Sequence, residues 1–406
     1  MGYEYFTLAN GIRIIHKQAP GTVGHLGIII NTGSRDEEEH EHGIAHFIEH
    51  VIFKGTHKRK AYHILSRMED VGGEIDAYTT KEETCIYGAF LTEHYQRAIE
   101  LFSDIVFNSS YPEKELEKEK EVIIDEINSY KDSPAELIFD DFEELLFNGH
   151  PIGRNILGDP KSLLKYTRND LLNFVKKNFN TNQIVLCSVG DIKFSKLKNW
   201  VQKYFDGVAP NLRESRREVL NGYTPTTKQF TKDTYQAHCI IGNRAYAIND
   251  KKRLPLELLN NILGGPGMNS RLNLALREKH GFTYNIESFY NPYTDTGIFG
   301  IYFGTEQEKI ERSLKIINAE IKKLQSSPLG ILQLDRAKKQ MIGQMAIGAE
   351  SKSSLMLNIG RSYLLFDKVD SLETVYEKIN KVTSSELIEV ANEIFDFKKR
   401  SSLIYY

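Results

Sequence analysis

Residues 44–51 read Ile-Ala-His-Phe-Ile-Glu-His-Val, a stretch that combines a helical pattern with side chains that bind metals. The apolar side chains at positions 44, 47, 48 and 51 have the spacing of the buried side of an amphipathic helix. His46 and His50 are one helical turn apart, so both imidazoles lie on one side and can reach the same ion. The stretch therefore predicts a helix, within residues 41–54, that presents two histidines together.

A metal site built on these two histidines needs further groups. A catalytic Zn²⁺ site commonly has two neutral histidines and a carboxylate as ligands, and its fourth position holds a water whose pKa the metal lowers. Glu49 would lie beside that water. The alternative is that His46 and His50 are ordinary histidines of a helix, since the string H-x-x-E-H also arises by chance. The motif indicates a metal site only if the chain holds a third ligand elsewhere.

A candidate for the third ligand lies in a second predicted helix, which spans residues 112–131. Apolar side chains at positions 116, 123, 127 and 130 mark its inward side, and Glu119 and Glu126 fall on that side. Burying an ionised carboxylate costs several kcal/mol unless a charge or a metal compensates it. A nearby cation would remove this cost. The alternative is that the inward side is wrongly assigned and that both carboxylates lie in water.

Length and composition are those of an ordinary folded protein with about two domains. The chain has 406 residues, of which 40% are hydrophobic and 26% are charged. With 52 Lys and Arg against 55 Asp and Glu, the net charge is −3, so no positive excess favours nucleic acid as a partner. No apolar run approaches the roughly 18 residues of a membrane span, and residues 1–6 lack the pattern of a signal peptide. We therefore expect no membrane partner and a cytoplasmic location.

The order of predicted elements indicates an α+β fold. Strand-like stretches open the chain, and helices and strands then interleave. Residues 207–233 are polar and contain two prolines, which is typical of a connector. A weak internal repeat divides the chain in the same way. We predict a zinc-binding domain at 1–212, a linker at 213–230 and a homologous domain at 231–406, each a mostly antiparallel sheet packed with helices.

Two further features bear on the metal site. The acidic run Asp36–His42 is typical of a solvated approach to a helix. In the second copy of the repeat, Gln344 stands at the position of Glu126, and no H-x-x-E-H string lies near residues 256–263. Only the first domain is therefore expected to bind metal.

In these features the chain resembles the pitrilysin/insulinase family of metallopeptidases, the inverted zincins, in which a glutamate ligand follows the H-x-x-E-H motif by about 75 residues. Here Glu126 follows His50 by 76 residues, and Glu117, Glu119 and Glu126 match the family's second pattern, E-x-E-x-x-x-x-x-x-E. The resemblance implies a processing-peptidase-like fold in which His46, His50 and Glu126 bind one Zn²⁺ per chain. It also implies that Glu119 orients a ligand histidine.

Two other stretches agree with the resemblance. One is similar to the family's strand beside the zinc, to which an extended peptide adds by backbone hydrogen bonds, and comprises Asp76, Ala77, Tyr78 and Thr79. The family commonly has Asn at the position of Asp76, so the role of that residue does not transfer directly. Arg277 and Tyr284 resemble the family's arginine–tyrosine element, which holds the substrate backbone and donates to the oxyanion. Without the resemblance, Arg277 would be interpreted as part of a surface ion pair.

The function that the resemblance implies is zinc-dependent endopeptidase activity on extended or unstructured peptides. Glu49 would act as the general base, taking a proton from the attacking water and passing it to the leaving amine. Family members of this length typically pair, and this chain holds both halves of the site. We therefore expect a homodimer that encloses a chamber, with peptides as substrates. Mn²⁺ or Co²⁺ could occupy the same ligands as Zn²⁺.

Two alternative functions remain open. The chain could be a non-catalytic scaffold or assembly subunit of the same fold, although the intact ligand set argues against this role. It could also be a dedicated processing protease that removes a basic targeting segment, as the mitochondrial relatives do. Metal content together with cleavage of an unstructured peptide tests the first alternative, and a profile of cleavage sites tests the second.

Overall fold

The structure, a computed structural model, describes residues 2–213, 217–220, 222–232 and 234–406. Residues 214–216 and 221 belong to the predicted linker 213–230 and lie outside the described residues. The described chain forms two sheets, each packed with helices. Within the described ranges, no helix is both long and apolar enough to cross a membrane.

Strands form where β-branched and aromatic side chains concentrate, because these side chains pack well on a pleated surface. The strands of the first sheet are β1 (Glu4–Thr7), β2 (Arg13–Gln18), β3 (Val23–Ile30), β4 (Glu74–Thr79), β5 (Thr84–Leu91) and β6 (Ile184–Gly190). Those of the second sheet are β7 (Thr227–Phe230), β8 (Ala237–Ala245), β9 (Ile286–Pro292), β10 (Gly297–Thr305) and β11 (Ser401–Tyr405).

Both sheets are mostly antiparallel. The first has the order β1-β2-β6-β3-β5-β4, in which only the pairing of β2 with β6 is parallel. The second has the order β7-β11-β8-β10-β9, in which only the pairing of β11 with β7 is parallel. The predicted α+β fold class is confirmed. Strands β4 and β9 each lie at an edge of their sheet.

The helices follow the amphipathic periodicity of the sequence and bury their apolar sides against the sheets or against one another. In chain order they are α1 (Ile44–Val51), α2 (Ala61–Glu69), α3 (Tyr95–Phe107), α4 (Glu113–Lys131), α5 (Pro134–Leu146), α6 (Pro160–Leu163), α7 (Arg168–Asn178), α8 (Phe194–Phe205), α9 (Arg253–Gly264), α10 (Ile310–Ser326), α11 (Ile331–Ala349), α12 (Lys352–Phe366), α13 (Leu372–Lys381) and α14 (Ser384–Ile394). A π-helical segment spans Asn273–Glu278.

The chain divides into two compact units, and each unit contains residues from both halves of the sequence. The first unit comprises Met1–Asn128, Arg154–Arg217 and Ile347–Val369, and the second comprises Ser129–Gly153, Glu218–Ala346 and Asp370–Tyr406. The division after Arg217 falls inside the predicted linker 213–230. Two segments differ from the predicted domains 1–212 and 231–406, because residues 129–153 belong to the second unit and residues 347–369 to the first.

The two segments differ from the prediction because each contains a helix that packs on a sheet distant in sequence. In the second unit, α5 packs on β8 and β11, and its Phe142 shares a core cluster with Ile240. In the first unit, α12 packs on β3 and β6, where Met356 Sδ lies 3.1 Å from Cys187 Sγ. Periodicity shows which side of a helix is buried but not which sheet buries it.

Candidate metal centre

Helix α1 presents His46 and His50 on one side and its apolar residues on the other. The residues predicted to be buried are fully buried, namely Ile44, Phe47, Ile48 and Val51. His46 is 7% exposed, and the centroids of the His46 and His50 rings are 4.6 Å apart. The helix therefore places both imidazoles in one small region of the first unit.

Helix α4 brings two carboxylates to these histidines. Glu126 Oε2 lies 3.3 Å from His50 Nε2 and 3.8 Å from His46 Nε2. One ligand atom from each of His46, His50 and Glu126 lies within 4.8 Å of the other two, which is close enough for one metal ion. The expectation that both carboxylates face the core is wrong for Glu126, whose side chain is 45% exposed, whereas Glu119 is buried. Glu126 therefore lies on the solvent-exposed side of the site.

Glu119 links the second histidine to a nearby lysine. Glu119 Oε2 lies 3.3 Å from His50 Nδ1, and Glu119 Oε1 lies 2.7 Å from Lys54 Nζ. A metal-binding histidine is usually held by a hydrogen bond from its other ring nitrogen to a carboxylate or carbonyl. The contact with Glu119 has this form. Lys54, which lies just beyond the end of α1, was not predicted from the sequence to contribute to the site.

His46 is neutral at physiological pH. Burial and the nearby His50 lower the pKa of His46 to about 3. Neutral imidazole is the form that binds a metal, so His46 does not have to lose a proton on binding. Its Nδ1 is buried and has no hydrogen-bond partner among the described residues.

Glu49 lies beside the three candidate ligands and is half-buried. Burial raises the pKa of Glu49, as do the Glu126 and Asp76 carboxylates, whereas Thr79 and His50 lower it. A carboxylate with a raised pKa is a better proton acceptor than one in free solution. The position and electrostatics of Glu49 suit general-base chemistry next to a metal ion.

The four residues of the candidate peptide-binding strand lie on β4, the edge of the first sheet. Asp76, Ala77, Tyr78 and Thr79 pair with β5 on one side. Asp76 is exposed, and its Oδ2 accepts a hydrogen bond from the Tyr87 hydroxyl at 3.0 Å. An edge strand presents backbone N–H and C=O groups to which an extended chain can add. Within the described residues, no further strand occupies this edge.

Arg277 and Tyr284 lie in the second unit and contact each other. The Arg277 guanidinium carbon is 4.8 Å from the centroid of the Tyr284 ring, and Tyr284 is 79% exposed. The structure therefore places these two predicted site residues together, but in a different unit from His46, Glu49, His50 and Glu126.

In the second unit, an amide pair involves the residue that corresponds to Glu126. Gln344 Oε1 accepts a hydrogen bond of 2.6 Å from Asn261 Nδ2, and neither side chain is a typical Zn²⁺ ligand. Among the described residues, the group of His46, His50 and Glu126 is the one found with metal-binding geometry. The expectation that only the first half binds metal stays a prediction.

Glu37 is buried, which was not predicted from the sequence. The acidic run Asp36–His42 was expected to be solvated, but Glu37 is only 2% exposed and receives hydrogen bonds from the start of α1. A signal for this is present in the sequence, because the residue before α1 is Gly43. Glycine has no side chain with which to cap a helix.

Comparisons with known proteins extend over the whole chain. The family profile described as Insulinase (Peptidase family M16) matches residues 13–160, and that described as Peptidase M16 inactive domain matches residues 165–341. The chain is 31% identical to the Uncharacterized zinc protease YmxG of Bacillus subtilis over 392 residues, which cover 96% of this chain and 95% of that protein. It is also 31% identical over 398 residues to an Uncharacterized zinc protease of Rickettsia felis, covering 98% of this chain and 96% of that protein.

Solved structures share the fold. A protease from Helicobacter pylori superimposes with a TM-score of 0.92 at 23% identity, covering 100% of this chain and 99% of that one. A peptidase M16 inactive domain from Pseudomonas fluorescens also gives a TM-score of 0.92, at 20% identity, covering 100% and 98% of the two chains. The identity to the relatives and the profile matches confirm the resemblance inferred from the motifs. The chain belongs to the pitrilysin/insulinase family, peptidase family M16, in its short single-chain branch.

Proposed function

We propose that the protein is a zinc-dependent endopeptidase that hydrolyses peptide bonds in extended or unstructured peptides. The observation that carries this proposal is the convergence of His46, His50 and Glu126 with Glu49 beside them. Two neutral nitrogen donors and one carboxylate oxygen are the ligand set of a catalytic zinc site with an open position. The zinc proteases among the relatives support the same class of activity.

In this proposal His46, His50 and Glu126 hold one Zn²⁺ per chain. Zinc, when bound, polarises the scissile carbonyl and lowers the pKa of water. The His46 imidazole is neutral before the metal binds. The Glu119 carboxylate orients His50 through the Nδ1 atom of that histidine. The exposed Glu126 leaves one side of the site accessible to a peptide.

Glu49 acts as the proton carrier. Its carboxylate accepts a proton from the attacking water, and the resulting carboxylic acid gives that proton to the amine that leaves when the peptide bond breaks. The raised pKa of Glu49 makes its carboxylate a better acceptor for the proton of the water. No covalent bond between enzyme and substrate is needed.

The substrate adds to the free edge of β4 as an extended strand. Backbone hydrogen bonds from residues 76–79 would align the peptide beside Glu49, and the exposed Asp76 adds a negative charge close to it. Arg277 and Tyr284 would hold the substrate backbone and donate to the oxyanion. In the homodimer we propose, these two residues of one chain serve the metal site of the other chain in a shared chamber.

The test of this function compares the wild type with Glu49→Gln. The variant should keep its zinc, because Glu49 is not a ligand, and should lose cleavage of an unstructured fluorogenic peptide by about 10²- to 10⁴-fold. Metal content is measured by atomic emission and cleavage by fluorescence. Glu69→Gln, which makes the same change at an exposed position on α2, should behave as the wild type. Native cleavage by zinc-loaded Glu49→Gln would contradict the role of the base.

A non-catalytic scaffold is the second candidate, because the profile that matches residues 165–341 describes an inactive domain. The amide pair of Asn261 and Gln344 agrees with a second unit that lacks metal chemistry. The scaffold role predicts that the wild-type protein, although folded, cleaves none of a diverse mixture of peptides. Cleavage that requires Glu49 would exclude it, and the positions of the cut bonds would separate a general peptidase from a protease dedicated to basic targeting segments.

A further inference from the structure

Glu37 is a buried carboxylate that contacts the helix of the metal centre. Glu37 Oε2 accepts a hydrogen bond from the Gly43 N–H, and Glu37 Oε1 accepts one from the Ala45 N–H, each at 2.9 Å. Burial raises the pKa of Glu37 to about 8, although both N–H donors and the nearby Arg154 lower it. Both carboxyl oxygens accept hydrogen bonds from N–H groups, so Glu37 satisfies donors at the start of α1 that have no partner within the helix.

These two bonds replace a local helix cap. Gly43 is the residue before α1, has a left-handed conformation (φ 90°) and offers no side-chain acceptor. The first N–H groups of a helix have no partner within the helix, and they are usually satisfied by a Ser, Thr, Asp or Asn side chain at the cap position. In this chain Glu37, six residues earlier, supplies the acceptor instead.

The segment from Glu37 to Gly43 is itself held by residues 154–166. Arg154 donates to the carbonyl oxygens of Glu37 and Glu38 at 3.2 and 3.0 Å. Gly43 and Gly158 are in close contact, since a Cβ added to Gly43 would lie 2.7 Å from Gly158 Cα. The Tyr166 hydroxyl donates to the His42 carbonyl oxygen at 2.8 Å. The start of α1 is therefore fixed from several directions.

The two histidines of the site are supported differently. His50 Nδ1 contacts Glu119, which fixes its ring. His46 Nδ1 has no such partner among the described residues. His46 lies in the first turn of α1, directly after Ala45, so its position depends on the backbone that Glu37 holds.

We propose that Glu37 is a positioning residue for the metal ligand His46, acting through the backbone of the first turn of α1. The inference rests on the proposed function in one respect, that His46 binds the metal. Glu37 is not one of the three candidate ligands, and it contacts the start of α1 through backbone N–H groups. Loss of its carboxylate should leave all three ligands present but should displace one of them.

The experiment measures Zn²⁺ affinity by competition with a chromophoric chelator. Glu37→Gln keeps the size of the side chain but replaces one acceptor oxygen with an NH₂ group that faces a backbone donor. We expect its affinity to fall by about 10-fold, the size seen when groups that orient metal ligands are removed. Glu39→Gln makes the same change at an exposed position two residues away and should leave the affinity unchanged.

A second measurement separates positioning from a general loss of stability. The visible absorption of the Co²⁺-substituted protein reports the geometry of the ligands, so the spectrum of folded Glu37→Gln should differ from that of the wild type and of Glu39→Gln. Should Glu37→Gln fail to fold, Glu37→Asp keeps the carboxyl group but shortens the side chain, and it should show the same change in the spectrum. Unaltered affinity and spectrum in the folded variant would overturn the proposal. Failure of the wild type itself to bind Zn²⁺ would instead overturn the proposed function.

Discussion

At the scale of single residues, the metal centre depends on how its imidazoles are held. Glu119 is buried between His50 and Lys54, with contacts of 3.3 Å to the imidazole and 2.7 Å to the ammonium group. Its negative charge makes His50 a stronger ligand, while Lys54 offsets the cost of burying that charge. In the proposed zinc site, the carboxylate would support both the stability of the protein without metal and the affinity for metal.

We predict that Glu119→Gln weakens Zn²⁺ binding by about 10-fold, because the amide still contacts His50 but carries no charge. Affinity is measured by chelator competition. The matched control is Glu121→Gln, an exposed residue on the same helix, which should bind Zn²⁺ as the wild type does. Equal affinities in the two variants would show that Glu119 does not support the ligand.

A histidine outside the site is predicted to affect stability as a function of pH. His16 is fully buried on β2, and its ring nitrogens lie 3.2 Å from Ser188 Oγ and 3.0 Å from the Ile192 carbonyl oxygen. Burial lowers the pKa of His16 below its ordinary value of 6.5. At a pH between the pKa of His16 in the folded chain and its ordinary value of 6.5, the unfolded chain binds a proton that the folded chain does not. The free energy of unfolding therefore decreases as the pH falls below about 6.5.

We therefore expect His16→Gln to be less stable than the wild type at pH 7.5 but to lose less further stability on going to pH 5.0. Urea unfolding at both pH values measures the difference. His57→Gln replaces an exposed histidine and should keep the wild-type dependence on pH. If His16→Gln lost as much stability as the wild type between the two pH values, His16 would not be the group responsible.

At the scale of elements, the position of α1 depends on a contact between two glycines. Gly43 and Gly158 both have positive φ angles, of 90° and 74°. A Cβ on Gly158 would lie 2.6 Å from Gly43 Cα and 2.8 Å from the His42 carbonyl oxygen. Side chains are excluded at both positions because backbone atoms fill the space.

Gly158→Ala is expected to destabilise the first unit more than a comparable substitution without a clash. Gly72 has a similar φ of 70°, and no atom lies near the methyl group that Gly72→Ala would add. This substitution should therefore lower the free energy of unfolding only by the strain of the left-handed conformation, about 1–2 kcal/mol. Gly158→Ala should cost about 1–3 kcal/mol more, because the backbone has to move. Urea unfolding measures both, and equal losses would contradict the importance of this contact.

At the scale of the whole molecule, each compact unit is completed by a helix from the other half of the sequence. α5 packs on the second sheet and α12 on the first. Each half of the chain consequently requires the other for a complete core. Residues 1–212 expressed alone would lack α12 and would expose the apolar face that contains Ile29, Val185 and Cys187.

The proposed sharing of sites between chains predicts complementation. Glu49→Gln and Arg277→Ala should each be inactive, but mixed dimers should regain one intact site. Random exchange makes about half of the dimers mixed, so about a quarter of the sites should recover. Peptide cleavage after mixing measures this. Mixing Glu49→Gln with His46→Ala should restore no activity, because both substitutions damage the same half of the site. If subunits exchange and the first mixture still recovers no activity, the proposal that two chains share a site would be contradicted.

The spacing of residues along the sequence predicted which side chains approach one another in the candidate metal centre. The spacing of His46 and His50 places them on one side of α1. Glu119 and Glu126 fall on the side of α4 that its apolar residues mark as inward. Periodicity is a local property, and it records which side of a helix is buried. The α+β class could be predicted for the same reason.

Which side chains are buried, and which sheet each helix covers, depends on the three-dimensional packing of the chain. Glu37 looked like a solvated acid and is buried, Glu126 looked buried and is exposed, and α5 and α12 pack on sheets far away in sequence. Helices α5 and α12 are placed by contacts with strands far away in sequence, and Glu37 is buried by its bonds to Gly43 and Ala45 and by the contact of Arg154 with its backbone. Local pattern carries no information about such contacts, because the same amphipathic helix can bury its apolar side against any complementary surface.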